Sequence, residues 1–262
     1  MLDESEIIKS TIHLREHVEL SSNDKIDNIE NLINQAGYEL IKKDFQNDFS
    51  GFSKYAGGAD YIIGFNTRHN WSTEFKRFTL AHELGHLNIP SHFSLLHQKS
   101  ILVSSPGYYS IDTIEQEANI FAINLLAPPN IFKSKLDELS ISFSSLKKLS
   151  SYYKISLEAA AIHMINLTDD DCSFVVSNSE REILYDIRSE SFFKRHRHTT
   201  IKNNNVDNRS NVYTFTGNDD LIEESKLKYW YPSVQNDFTI EEHIFDLGYQ
   251  NKIGTFITVD PN

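Results

Sequence analysis

Two histidines, His82 and His86, stand four residues apart, with Glu83 next to the first. On an α-helix that spacing is one turn, so both imidazoles leave the same face and can reach one tetrahedral zinc ion. Glu83 lies around the helix from His82. It cannot easily ligate the same ion, but it can lean over a water that the ion acidifies and take its proton. The hydroxide then attacks a carbonyl and the proton passes to the leaving amine, which is the chemistry of peptide-bond hydrolysis. His-Glu-x-x-His is short enough to occur by chance on a solvated helix face. Its setting argues against that: Phe78, Leu80, Ala81, Leu84 and Leu87 make the helix apolar around the three polar residues. Buried imidazole and carboxylate groups are costly unless paired or metal-bound. Gly85, which costs about 1 kcal/mol against Ala inside a helix, makes sense where something must approach the backbone closely.

A third ligand is required. His92 lies ten residues after His82, the spacing of the HExxHxxGxxH class. The glycine of that class is replaced by Ile89, a β-branched residue ill suited to positive φ. Met164 sits in a helical pattern, so there is no sign of a Met-turn, and His92 reads as a loop histidine in water. The second source is "IEQEAN", where Glu115 and Glu117 border an apolar stripe. Asn119 lies one turn after Glu115, where it could hydrogen-bond a ligating histidine and fix its ring. Glu117 has Phe121 in the equivalent place. Glu115 is therefore the expected ligand, Asn119 its supporting neighbour and Glu117 the runner-up. Otherwise Glu117 is a solvated helix-flank carboxylate or a partner for Arg77 or Lys76.

These residues need elements to hold them. "WSTEF" offers Ser72 or Thr73 as N-cap of a helix over about 74–87, ended by Pro90. Ile114, Ala118, Phe121, Ala122 and Leu125 define a second helix, stopped by Pro128 and Pro129. Upstream, 24–36 reads as a helix stopped by Gly37, and "GYELIKK" and "DYIIGFN" read as strands of a small sheet. Residues 91–110, rich in Ser and His, read as a loop. Two short helices fall in 142–167. After "NLTDDD" the composition shifts to a β-hairpin turning at 178–181, a polar loop over 194–220 and a closing strand "KIGTFITVD". The expected fold class is α+β: a small sheet packed on helices including the HExxH helix, with a smaller β-rich C-terminal region. The expected domains are 1–168, the metallopeptidase part with a helical appendage, and 169–262, whose role the sequence does not define.

Composition removes several classes. A net charge of −12 repels phosphate backbones and anionic membrane surfaces, and no apolar run is long enough to span a bilayer. A single cysteine, Cys172, forms no internal disulfide, and the charged N-terminus is no signal peptide. A cytoplasmic protein is expected. "SSLKKLSSYYKISLEAAAIHMINL" has the outline of a helix-turn-helix, but its second helix starts without Lys or Arg to meet DNA. "KRHRH" at 194–198 reads as a solvated basic loop, Tyr229, Trp230 and Tyr231 as core, and Cys172 as a buried small residue. Donors that could stabilise an oxyanion include Tyr55, Tyr61, Tyr108, Tyr109 and His163, with nothing to choose between them.

"RFTLAHELGHL" followed by "EQEANIFAINLLAPP", with "SGFSKYAGGADYIIGFN" upstream, resembles the ImmA/IrrE family of metallopeptidases over about residues 25–168. The resemblance implies His82, His86 and Glu115 as zinc ligands and Glu83 as catalytic base, a gluzincin-like set. Ala127 stands where the family usually has methionine, and Pro129 adds a second proline. The implied function is a zinc-dependent regulatory endopeptidase of narrow specificity. Its implied substrate is a helix-turn-helix repressor or antitoxin, in a stress-response or toxin–antitoxin setting. The alternative is a zinc-stabilised binding or toxin module that docks to a partner without hydrolysis.

Overall fold

The computed structural model describes residues 4–21, 24–105, 112–196, 201, 204–217, 219–234, 236 and 238–259. The chain folds into two compact units. The first comprises Met1–Ile131 and Tyr153–Ser156, the second Phe132–Tyr152 and Leu157–Asn262.

In the first unit, helices α1 (Glu4–His17) and α2 (Ile29–Gln35) precede strands β1 (Glu39–Lys43), β2 (Gly51–Gly57) and β3 (Asp60–Asn66). Then come α3 (Thr73–Asn88), α4 (Pro90–Lys99), β4 (Ile101–Ser104) and α5 (Thr113–Leu126). The sheet order is β1-β3-β2-β4, with β1 parallel to β3 and the other pairs antiparallel, so β4 is an edge. Asn28 caps α2 by accepting from the Glu30 and Asn31 amides, and Ser72 caps α3 by accepting from the Phe75 amide at 3.1 Å. Each satisfies an amide that the first helical turn leaves without a partner. α1 is tied to the C-terminal turn of α5 by buried Arg15, which donates to the Leu125 carbonyl at 2.9 Å. Arg77 of α3 donates to the carbonyls of Ile26, Asp27 and Lys154. A cation set among carbonyls in this way needs no carboxylate partner.

The second unit takes most of α6 (Pro129–Leu136) and α7 (Phe143–Tyr153), with α8 (Leu157–Leu167) and α9 (Glu190–His196). Strands β5 (Cys172–Ser177), β6 (Ile183–Arg188), β7 (Leu221–Lys226), β8 (Thr239–Asp246) and β9 (Ile253–Val259) form an antiparallel sheet in the order β6-β5-β9-β8-β7. Alternation sorts its side chains by face. Val175, Ile240, Ile244 and Ile257 join Trp230, Tyr231, Val212 and Leu227 in one core. Phe245 stacks with Phe174 and with Phe143 of α7, and Phe256 packs tilted against Phe174 and Phe245.

The α+β class and the β-rich C-terminal region agree with expectation. The expected loop at 91–110 is corrected: α4 and β4 occupy most of it. Its Ser and His content hid an element that starts with Pro at N1 and buries His92 and Leu96. The polar segment 194–220 begins inside α9 and contains a 3-10 turn at Asn211–Tyr213. Lys194 and Arg195 are exposed, as expected, and pair with Glu190 and Asp171, whereas His196 is buried against Asp171. His198 and residue 197 lie outside the described residues. α8 buries Glu158 to Ile165, and Cys172, Trp230 and Tyr231 are core. No helix among the described residues is long and apolar enough to cross a membrane.

Candidate metal centre

α3 and α5 pack face to face where Gly85 meets Phe121. A Cβ on Gly85 would lie 3.2 Å from three atoms of the Phe121 side chain. The missing side chain lets the helices close, and that closure brings Glu115 to the histidines. Nε2 of His82 and Nε2 of His86 are 3.1 Å apart. The carboxylate of Glu115 spans them, with Oε2 3.3 Å from His82 Nε2 and Oε1 3.3 Å from His86 Nε2. These three are the one His/Cys/Asp/Glu cluster among the described residues whose donor atoms converge closely enough to hold a metal ion.

The other ring nitrogens face supporting groups. His82 Nδ1 donates to Asn119 Oδ1 at 2.8 Å, the contact that the i, i+4 relation of Glu115 and Asn119 suggests. With Nδ1 carrying the hydrogen, neutral His82 turns the lone pair of Nε2 toward Glu115. A lone pair facing a carboxylate oxygen at 3.3 Å is repulsive unless a proton or a metal ion lies between them. The donor set therefore fits a metal ion, and two imidazoles plus one carboxylate suit zinc. Burial opposes charge on both rings. On His82, Glu115, Glu83 and Asn119 overcome it and raise the pKa, whereas His86 is pushed down to about 4. Burial also works against the Glu115 carboxylate, but the two imidazoles outweigh it and hold its pKa well below the ordinary range.

Glu83 is buried against β2. Ser53 donates to Glu83 Oε2 at 2.7 Å, leaving Oε1 without a hydrogen-bond partner. A Cβ on Gly51 would lie 2.7 Å from that Oε1. Gly51 and Ser53, two apart on one strand face, thus make the space and the anchor for the carboxylate. Burial, only partly offset by His82, Ser53 and Ser104, raises the Glu83 pKa to about 7. Neither residue was singled out in the sequence. The signal was there in the small residues of "SGFS", which place Gly51 and Ser53 on one face once β2 is recognised as a strand.

Glu117 does not join the cluster. It is buried, with Oε2 3.0 Å from His92 Nε2, and His92 Nδ1 lies 3.1 Å from His86 Nδ1. The expectations for a solvated His92 and for Glu117 as a flank carboxylate or a partner of Arg77 or Lys76 are thereby corrected. Lys76 pairs with Glu30, and α4 carries His92 under α3 instead of into water. Tyr61 donates to His97 within an aromatic group that includes Tyr55 and Phe93. His163 packs edge-on against Phe132 in the second unit, and Tyr108 and Tyr109 lie outside the described residues.

An HExxH helix facing a carboxylate from a second helix is the scaffold of a metallopeptidase. The family model described as Peptidase_M78, IrrE N-terminal-like domain, matches residues 33–164, half of the chain, and the protein belongs to that family. Among solved structures, a Mycobacterium tuberculosis transcriptional regulator is similar in fold. The TM-score is 0.60 at 11% identity, and the match covers 97% of this chain and 76% of that one. No curated protein matches the chain.

Proposed function

We propose that the protein is a zinc-dependent endopeptidase of narrow specificity, with His82, His86 and Glu115 as zinc ligands and Glu83 as catalytic base. The observation that carries this reading is the convergence of two imidazole Nε2 atoms and one carboxylate beside a buried glutamate whose Oε1 has no partner. When bound, zinc supplies Lewis acidity, polarising a carbonyl and making water acidic enough to act as a nucleophile near neutral pH. Glu83 Oε1 accepts the water's proton and returns it to the leaving amine nitrogen. A pKa near 7 suits a group that must both take and give a proton. Ser53 keeps the carboxylate from rotating away by holding Oε2.

Narrow specificity is supported by burial. His82, Glu83 and His86 are closed off, and among the metal-cluster residues only the Glu115 side chain, 21% accessible, shows appreciable surface. β4, an edge strand among the described residues, supports a protein substrate held in extended form. β4 pairs with Gly51 and Ser53, the residues that hold Glu83, and exposes Ile101 and Val103. An extended peptide can add to such an edge through its backbone. Family membership supports a helix-turn-helix repressor or antitoxin as that substrate. The test is to incubate the purified zinc-loaded protein with the product of a neighbouring repressor-like gene and look for shortening by mass spectrometry. Shortening by wild type and not by Glu83→Gln supports hydrolysis. Full biological activity of Glu83→Gln would instead mean that the protein acts by docking.

A further inference from the structure

The two ligand histidines are supported unequally. His82 leans on the neutral carbonyl of Asn119, whereas His86 leans on a second imidazole that itself leans on an anion. We propose that His92 and Glu117 are positioning residues that form a buried carboxylate–imidazole–imidazole relay, fixing the tautomer and orientation of His86 for metal binding. The inference rests on the metal reading above.

The hydrogen-bond directions follow from the atoms. Ionised Glu117 can only accept, so His92 Nε2 carries the hydrogen and donates to Oε2 at 3.0 Å. A neutral His92 then has a lone pair on Nδ1, and the 3.1 Å contact requires His86 Nδ1–H to donate into it. That leaves the lone pair of His86 on Nε2, the atom 3.3 Å from Glu115 and 3.1 Å from His82 Nε2. Reversing either bond would put a hydrogen on His86 Nε2 and block it as a ligand. All three residues are buried, so water does not offer a competing partner. Outer hydrogen bonds of this kind orient a ligating imidazole and raise its donor strength. The relay draws on three elements: α3 supplies His86, α4 supplies His92, and α5 supplies Glu117 two residues after the proposed ligand Glu115.

The test measures zinc affinity by competition with a chromophoric chelator, alongside the melting temperature of the metal-free protein. His92→Leu removes the acceptor and should weaken zinc binding about 10–100-fold. His92→Asn places Oδ1 where Nδ1 stood, as Asn119 does for His82, and should restore affinity to within a few-fold of wild type. Glu117→Gln keeps the shape, loses the charge and should fall between the two. With cobalt in place of zinc, the ligand-field absorption should change in His92→Leu and return toward wild type in His92→Asn. Unchanged zinc affinity in His92→Leu and Glu117→Gln, with only a lower melting temperature, overturns the relay and leaves packing as the role of both residues. If His92→Leu does not fold, His92→Asn and Glu117→Gln decide: wild-type zinc affinity and cobalt spectrum in Glu117→Gln overturn the relay, and a Glu117→Gln deficit beyond that of His92→Asn upholds it. A wild-type protein that binds no zinc overturns the metal reading itself, an outcome distinct from equal binding by wild type and variants.

Discussion

Each unit buries one glutamate completely, Glu83 in the first and Glu242 in the second, and the two are treated in opposite ways. Glu242 on β8 has both oxygens engaged: Oε1 accepts from Trp230 Nε1 at 2.6 Å, and Oε2 accepts from the Asn211 amide at 2.9 Å and Ser210 Oγ at 3.2 Å. Glu83 has one oxygen held by Ser53 and the other without a partner. A buried carboxylate whose bonds are all made is a fastener, because every donor around it would be orphaned by its loss. A buried carboxylate left half-bonded, next in sequence to a residue of the metal cluster, keeps an oxygen available for chemistry at the expense of stability. The difference separates a structural acid from the acid proposed above as the catalytic base, without reference to the chain's relatives.

The comparison can be broken by substitution. The largest effect expected is that of Glu83→Gln, which should lower kcat about 10²–10⁴-fold while zinc content stays at the wild-type level. Cleavage of a peptide library read by mass spectrometry, with metal analysis on the same sample, checks it. Glu115→Ala should weaken zinc binding by more than the about 10–100-fold expected for losing an outer partner. Unchanged metal content would move the third ligand elsewhere.

Proton linkage gives the next effect. Burial raises Glu83 from its ordinary 4.5 to about 7. Between those values the native protein holds a proton that the unfolded chain has given up. The contribution of Glu83 is therefore fully present below about pH 4.5 and is lost as the pH rises through about 7, about 3 kcal/mol in all for the metal-free protein. Urea unfolding across that range should show the decline in wild type and a flatter profile in Glu83→Gln. Glu242→Ala should instead lower the stability of its own unit by about 1–3 kcal/mol, because the Trp230, Ser210 and Asn211 donors lose their acceptor. Zinc affinity in that variant should equal wild type. A stability loss of similar size is expected from Gly51→Ala, whose Cβ would press on Glu83 Oε1 and Thr79. It should cost about 1–3 kcal/mol by overpacking and reduce kcat more than it raises KM, which steady-state kinetics would resolve.

Much of the cluster was legible because its parts are local. The four-residue step between His82 and His86 and the four-residue step between Glu115 and Asn119 both lie within single helices, where one turn fixes which side chains share a face. Ser72 as a cap, the strands around "GYELIKK" and "DYIIGFN", and the hairpin joining β5 to β6 were readable for the same reason. α4 and β4 were not. Ile101 and Val103 are exposed on a four-residue strand, and an edge strand gains its identity from the partner it pairs with, here β2. α7 and α8 were legible as helices, but nothing in their periodicity indicates that α8 packs on β5 and β6.

By itself the sequence determined the helix that carries two imidazoles and a glutamate, the second helix with its acid and amide, and a charge balance that repels phosphate. Periodicity and capping encode these within a few residues, so no distant contact is needed to read them. Tertiary structure alone decided that Glu115 reaches the histidines while Glu117 turns to His92, and that Gly51 and Ser53 of a strand 30 residues upstream cradle Glu83. Glu115 and Glu117 sit on opposite borders of one stripe, and helical geometry treats them alike. The neighbouring Asn119 favours Glu115, but only the approach of α3 and α4 to α5 brings Glu115 to the histidines and Glu117 to His92.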